Sequence, residues 1–253
     1  DLDGTLGDTA PDLGHALNLQ RARHGLPPLA DAVIRPQASH GARGLLGVGF
    51  DLHPEDTRFA HMREEFLQLY AENICIHSRP FPGILELLDA LERRGLAWGV
   101  VTNKPARFTE PLMSVLDLAE RAACIVSGDT CPQPKPHPAP MLAAAELCGA
   151  LPAQCLYLGD AERDVQAASA AGMPALVAAW GYLGADEFAL LEPIRDWIRS
   201  DDKPFLLTVM CSVTHDPYEV PSWYGEMAGT LPDRYRQTIA YTDKFIQALD
   251  VEL

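Results

Sequence analysis

Four short apolar runs, spaced between helical stretches, restrict this chain more than any other feature of its sequence. They are LAWGVVTN (Leu96–Asn103), ACIVSGD (Ala123–Asp129), CLYLGD (Cys155–Asp160) and PALVAAWGYL (Pro174–Leu183). Helical patterns fall before or between them at Ile84–Arg94, Ala106–Leu116, Met141–Gly149 and Asp164–Gly172. Strands with this texture are buried on both faces, and alternating helices supply the covering layers. The expected fold class is α/β, a Rossmann-like parallel sheet with helices on both faces. PQPKPHPAP (Pro132–Pro140) cannot be regular helix or central strand, because proline removes a donor and fixes the backbone.

The part before Arg79 reads differently. Pro11–His24 suits a helix, with Pro11 and Asp12 in a first turn and Gly25 as a stop. GLPPLAD (Gly25–Asp31) is a connector, and SHGARGLLGVGF (Ser39–Phe50) reads as a Gly-rich loop carrying His40 and Arg43. Pro54–Asn73 shows Phe59, Met62, Phe66, Leu69 and Tyr70 at helical spacing, a packing stripe. Residues 11–78 are therefore expected to form a helical insertion, and residues 1–10 and 79–187 a core.

Composition narrows the partners. The chain has 253 residues, 47% hydrophobic and 22% charged, within the range of ordinary globular proteins. A net charge of -15 argues against nucleic acid or an anionic membrane as a partner. A small phosphorylated molecule stays open, since one local cation and a metal can dominate a pocket. Six scattered cysteines without a C-x-x-C pair suit reduced thiols and a cytoplasmic setting. No run approaches the ~18 apolar residues of a membrane span, and no basic-then-apolar leader is visible.

Ligands of open parallel sheets bind beyond the carboxyl ends of the strands. Thr102 and Asn103 end one expected strand, Asp160 ends another, and Lys135 follows a third in the proline-rich loop. The chain opens DLDGT, where Asp1 and Asp3 share a face if extended and Gly4 permits close backbone approach. Two adjacent carboxylates repel each other unless a cation or a shared proton compensates, which points to metal or acid–base chemistry. Taken singly each residue has a plainer reading. Thr102 suits a strand interior, Asn103 a turn, Lys135 a solvated loop, Asp160 a helix cap and Asp164 an exposed helix face. His40 and Arg43 fit equally well a pocket wall or solvent.

DLDGT, VVTNK, PKPHP and GDAERD, in that order, resemble the four motifs of the haloacid-dehalogenase superfamily over residues 1–187. Within it, DLDGTLGDTAPDL, RPFPGILELLDAL, TNKP and KPHPAP are similar to phosphoglycolate phosphatases. RPQASHGARGLL and VAAWGYLGADE are similar to the sub-group acting on N-acetylmuramic acid 6-phosphate. The resemblance implies a Mg²⁺-dependent phosphomonoester hydrolase with a small helical cap. It implies Asp1 as nucleophile, Asp3 as acid and then base, and Thr102, backbone near Asn103, and Lys135 around the phosphoryl group. It implies Mg²⁺ on the Asp1 carboxylate, the Asp3 carbonyl and Asp160, with Asp164 in support; His40 and Arg43 are candidate substrate contacts from the cap. A sugar phosphomutase on the same scaffold is the near alternative, and a non-catalytic binding module the distant one.

Beyond Glu187 the pattern changes to EPIRDWIRS, PFLLTVMCSV, THDPYEVPSWYG and TIAYTDKFIQALD. PFLLTVMCSVTHDPY and YTDKFIQALD resemble an internal piece of sulfatase-like phosphoglycerol or phosphoethanolamine transferases, with His215 at a substrate-binding position. That family's nucleophile and metal motifs are absent, so residues 188–253 are expected to be catalytically inert. The superfamily's nucleophile follows a central strand, and none precedes Asp1 here. If the protein truly begins at Asp1, it is therefore expected to fold poorly and show little activity, with restoration on adding some six apolar residues upstream.

Overall fold

The computed structural model describes residues 1–182 and the pair 210–211. The chain divides into two compact units, Asp1–Tyr182 and Leu183–Leu253. In the second, Met210–Cys211 form a two-residue strand inside the expected PFLLTVMCSV run. The rest of the sulfatase-like segment, His215 included, lies outside the described residues.

In the first unit the order is β1 (Gly7–Asp8), α1 (Ala10–Arg23), α2 (Asp31–Ile34), a 3₁₀ helix (Arg35–His40), α3 (Gly41–Phe50) and α4 (Phe59–Glu72). There follow β2 (Arg79–Pro80), α5 (Ile84–Arg93), β3 (Gly99–Val101), α6 (Ala106–Val115), β4 (Cys124–Val126), α7 (Ala139–Leu147), β5 (Tyr157–Gly159), α8 (Glu162–Ala170) and β6 (Ala175–Ala179). β3 pairs parallel with β4 in the register Val100–Ile125, and β5 pairs parallel with β6 in the register Leu158–Leu176. The strands are shorter than the apolar runs, but pairing extends past their ends, with Ala123 N–H donating to Trp98 O and Thr102 N–H to Val126 O. The Asp1 nitrogen donates to the Leu158 carbonyl across 2.6 Å, which sets the opening motif beside β5.

The helices between β1 and β2 pack through Leu13, Leu17, Leu45, Leu46, Phe66 and Tyr70, all buried. Full burial of such side chains contributes about 1.5–3 kcal/mol each. A second cluster of Val101, Val126, Met141, Tyr157, Ala167 and Ala168 packs α7 and α8 against the parallel strands. Asp12 closes the insertion by accepting hydrogen bonds from the Ser78 N–H (2.8 Å) and hydroxyl (2.6 Å) and from the His77 N–H. A carboxylate in the first turn of α1 thus ties the return segment to the start of the insertion.

Two local expectations are corrected. The Gly-rich Ser39–Phe50 stretch is the end of a 3₁₀ helix followed by α3, rather than a loop. Its glycines permit close helix contact: a Cβ at Gly49 would lie 2.6 Å from Leu17 Cδ1, while Leu45 and Leu46 insert into the core. α4 begins at Phe59, not Pro54, because Asp56 folds the preceding residues into a turn, accepting the His53 N–H at 2.7 Å.

Candidate active site

A cavity of about 950 Å³ opens between the helical insertion and the strand ends. Asp1, Asp3, Thr102 and Asn103 line its floor, and His40 and Arg43 line it from the insertion side. Lys135, Asp160 and Asp164 are buried at the same end of the strands.

Gly4 makes this convergence possible. Its φ of +79° is a conformation that favours glycine, and a Cβ there would run into the Asp160 carboxylate. The chain can therefore turn directly after Asp3 and leave Asp160 beside Asp1. Carboxylate oxygens of Asp1, Asp160 and Asp164 lie within 4.8 Å of one another. Such a cluster requires cationic compensation, and Lys135 supplies part of it. Its Nζ stands 3.0 Å from Asp1 Oδ1 and 2.6 Å from Asp164 Oδ1, and it also donates to Val101 O and the Tyr157 hydroxyl.

The plain readings of Lys135 as solvated and of Asp164 as exposed do not describe what is found. Lys135 is a fully buried cation, not a solvated one. Asn103 clasps the loop that carries it, its Nδ2 donating to Lys135 O (2.8 Å) and its Oδ1 accepting the Lys135 N–H (2.9 Å). The Asn103 side chain thus serves the lysine. Thr102 is buried and its hydroxyl accepts the Lys104 N–H at 3.1 Å. Asp164 caps α8 by accepting the Ala161 N–H through Oδ2 and faces Lys135 through Oδ1.

Electrostatics differentiate the carboxyls. Burial opposes ionisation of Asp164, yet Lys135 beside it holds the carboxyl below its usual range. Burial pushes Asp160 up, against hydrogen bonds from the Tyr182 N–H and the Ser39 hydroxyl, each 2.9 Å from Oδ2. Asp160 Oδ1 is buried and has no hydrogen-bond partner among the described residues. An orphaned carboxylate oxygen inside an all-carboxylate donor set fits a hard divalent cation such as Mg²⁺.

Asp3 has a different setting. Lys104 Nζ lies 2.9 Å from its Oδ1, and the Thr9 hydroxyl donates to the same oxygen at 2.5 Å. Burial works against the Asp3 carboxylate, but Lys104 and Thr9 hold its pKa below the usual value. Lys104 is raised in turn: burial disfavours its charge, and Asp3 and Tyr70 together more than offset that. Its ammonium also sits 4.7 Å from the Tyr70 ring centroid, on α4 of the insertion. Lys104, Thr9, Ser39 and Arg163 were not anticipated as site residues. All four stand inside quoted stretches, Thr9 in DLDGTLGDTAPDL, Ser39 in RPQASHGARGLL, Lys104 in VVTNK and Arg163 in GDAERD.

The sequence profile of the haloacid dehalogenase-like hydrolases matches residues 1–178. This chain belongs to that family. The hydrolase is 42% identical over 187 residues to the N-acetylmuramic acid 6-phosphate phosphatase of Pseudomonas aeruginosa, covering 74% of this chain and 83% of the relative. It is 44% identical over 182 residues to the phosphoglycolate phosphatase of Xylella fastidiosa, covering 72% and 79%. Among solved structures, a protein of Haemophilus somnus described as a predicted phosphoglycolate phosphatase superposes with a TM-score of 0.64 at 30% identity, covering 72% and 84%. The enzyme therefore sits with the phosphatases of the family, and its parallel α/β core is theirs. Among the described residues no helix is long and apolar enough to cross a membrane.

Proposed function

We propose that the hydrolase is a Mg²⁺-dependent phosphomonoesterase that acts on a small phosphorylated acid or sugar through an aspartyl-phosphate on Asp1. The leading substrates are 2-phosphoglycolate and N-acetylmuramic acid 6-phosphate, both named for close relatives. The observation that carries this reading is the buried Asp1–Asp160–Asp164 cluster with Lys135 between Asp1 and Asp164. Phosphoryl transfer asks for positioning and charge neutralisation, which is what this arrangement offers.

The Asp1 and Asp160 carboxylates and the Asp3 carbonyl, with Asp164 in support, would hold Mg²⁺, which would supply charge neutralisation at the phosphoryl oxygens. Asp1 Oδ1 is restrained by the Leu2 N–H at 2.7 Å and by Lys135, which leaves Oδ2 to attack phosphorus. Thr102 and the backbone near Asn103 border the phosphoryl oxygens. Asp3 protonates the leaving oxygen and then removes a proton from the water that hydrolyses the acyl-phosphate. In the free enzyme Lys104 keeps Asp3 ionised. An arriving phosphoryl dianion competes for that ammonium and raises the Asp3 pKa, which loads the acid when substrate binds.

Five free cysteines among the described residues support a reducing, cytoplasmic setting. The reading is tested by measuring inorganic phosphate release from the two substrates with Mg²⁺ and with EDTA. Release that needs Mg²⁺ is expected. Phosphate release indifferent to EDTA would overturn the metal assignment, and isomerised sugar phosphate without phosphate release would favour the mutase.

A further inference from the structure

The six-residue 3₁₀ helix of the insertion is tied to the core at both ends, and the second tie reaches the candidate metal site. At its first residue, Arg35 Nη1 donates to both carboxylate oxygens of Asp8 (3.0 and 2.9 Å), and its guanidinium lies 5.0 Å from the Tyr182 ring centroid. Tyr182 donates its hydroxyl to Asp8 Oδ1 and its backbone N–H to Asp160 Oδ2. Near the other end, Ser39 uses both of its polar groups on the core. Its hydroxyl donates to Asp160 Oδ2 at 2.9 Å, and its carbonyl accepts Arg163 Nη2 at 2.7 Å.

The next residue is His40, and Arg43 follows three further on, both lining the pocket. The segment that presents these groups is thereby fixed to α8 and to Asp160. Arg163 is only partly exposed and its Nε is buried without a partner among the described residues, so the guanidinium is held for the Ser39 carbonyl instead of being solvated.

We propose that Arg163 and Ser39 form a latch that locks the helical insertion over the pocket and so sets substrate preference. They act as positioning residues for His40 and Arg43. The latch discriminates in favour of phosphate esters with a second anionic group, which can reach the Arg43 guanidinium, over esters that end in an alkyl group. This rests on the phosphatase reading above. Ser39 and Tyr182 both occupy Oδ2 of Asp160, which leaves Oδ1 facing the carboxylate cluster. Closing the insertion and orienting the metal ligand therefore use the same serine.

The test compares kcat and KM for 2-phosphoglycolate and for ethyl phosphate, which lacks the carboxylate, in wild type, Ser39→Ala, Ser39→Thr and Arg163→Ala. Loss of one charge-assisted contact corresponds to about a tenfold effect. Ser39→Ala and Arg163→Ala are expected to lower the 2-phosphoglycolate to ethyl phosphate ratio of kcat/KM by about that factor, mainly through KM. Ser39→Thr, which keeps the hydroxyl, should restore the ratio.

Amide hydrogen exchange across residues 33–44 of the same proteins, read without substrate, is expected to speed up in Ser39→Ala and Arg163→Ala alone. An unchanged ratio with unchanged exchange overturns the latch. So does an equal fall for both substrates, which is the signature of a damaged centre. A wild type inactive on every ester refutes the phosphatase reading, and the exchange measurement then still decides whether the two contacts hold the insertion. If Arg163→Ala does not fold, the Ser39 pair alone completes the test.

Discussion

Lys104 Nζ lies 2.9 Å from Asp3 Oδ1, with little of either side chain exposed, so the candidate acid–base group rests against a permanent cation in the free enzyme. This pair makes the acid limb of stability depend on Asp3. Its folded-state pKa is lowered, so its contribution is present above the usual carboxylate value and is lost as pH falls through the lowered one.

Lys104→Met weakens that dependence. With the cation gone, only the Thr9 hydroxyl and Lys135 still oppose the burial of Asp3, and its pKa rises. The ionised form is then less stabilising at neutral pH, and the loss fades as falling pH neutralises the carboxyl. Urea unfolding is expected to show a loss of about 3 kcal/mol near pH ~7, shrinking by more than half near pH ~4. An equal loss at both values would show that Asp3 does not carry the effect.

Asp160→Asn separates stability from metal binding. The three carboxylates repel one another in the metal-free protein, so removing one charge is expected to leave thermal stability unchanged or higher in EDTA. Wild type should gain about 2.7 kcal/mol at a hundredfold excess of Mg²⁺ over Kd. The variant should gain almost nothing. A full Mg²⁺ shift in Asp160→Asn would move the metal elsewhere.

Gly128→Ala probes the loop that presents Asn103 and Lys104. A Cβ at Gly128 would strike the Asn103 carbonyl, and the Gly128 N–H donates to Lys104 O at 2.8 Å. Backbone cannot yield as a side-chain tip does. The displaced loop is expected to reduce kcat/KM by roughly a hundredfold. Circular dichroism should show the fold retained, and activity within twofold of wild type would mean that the loop tolerates the shift.

The parallel core was legible because buried strands between helices leave a strong apolar signature, and the polar ends of those strands marked the floor of the site. Asp1, Asp3, Thr102, Lys135, Asp160 and Asp164 meet there from segments far apart in sequence. What stayed hidden depends on reach and packing. Ser39 looked like part of a Gly-rich loop, because glycines that admit a neighbouring helix are indistinguishable in sequence from glycines that form turns. Lys104 was masked by Thr102 and Asn103 beside it, and only the fold shows that its chain crosses the Tyr70 ring to Asp3. The backbone near Asn103 was expected at the phosphoryl group, and the grip of its side chain on the Lys135 backbone was not foreseen.

The most direct measurement is Mg²⁺-supported phosphate release from 2-phosphoglycolate and N-acetylmuramic acid 6-phosphate by wild type and Asp1→Asn. The amide oxygen is a poor nucleophile, so kcat should fall by at least ~10⁴-fold on whichever ester the wild type hydrolyses. A well-folded Asp1→Asn protein that keeps substantial turnover would contradict nucleophilic attack by Asp1.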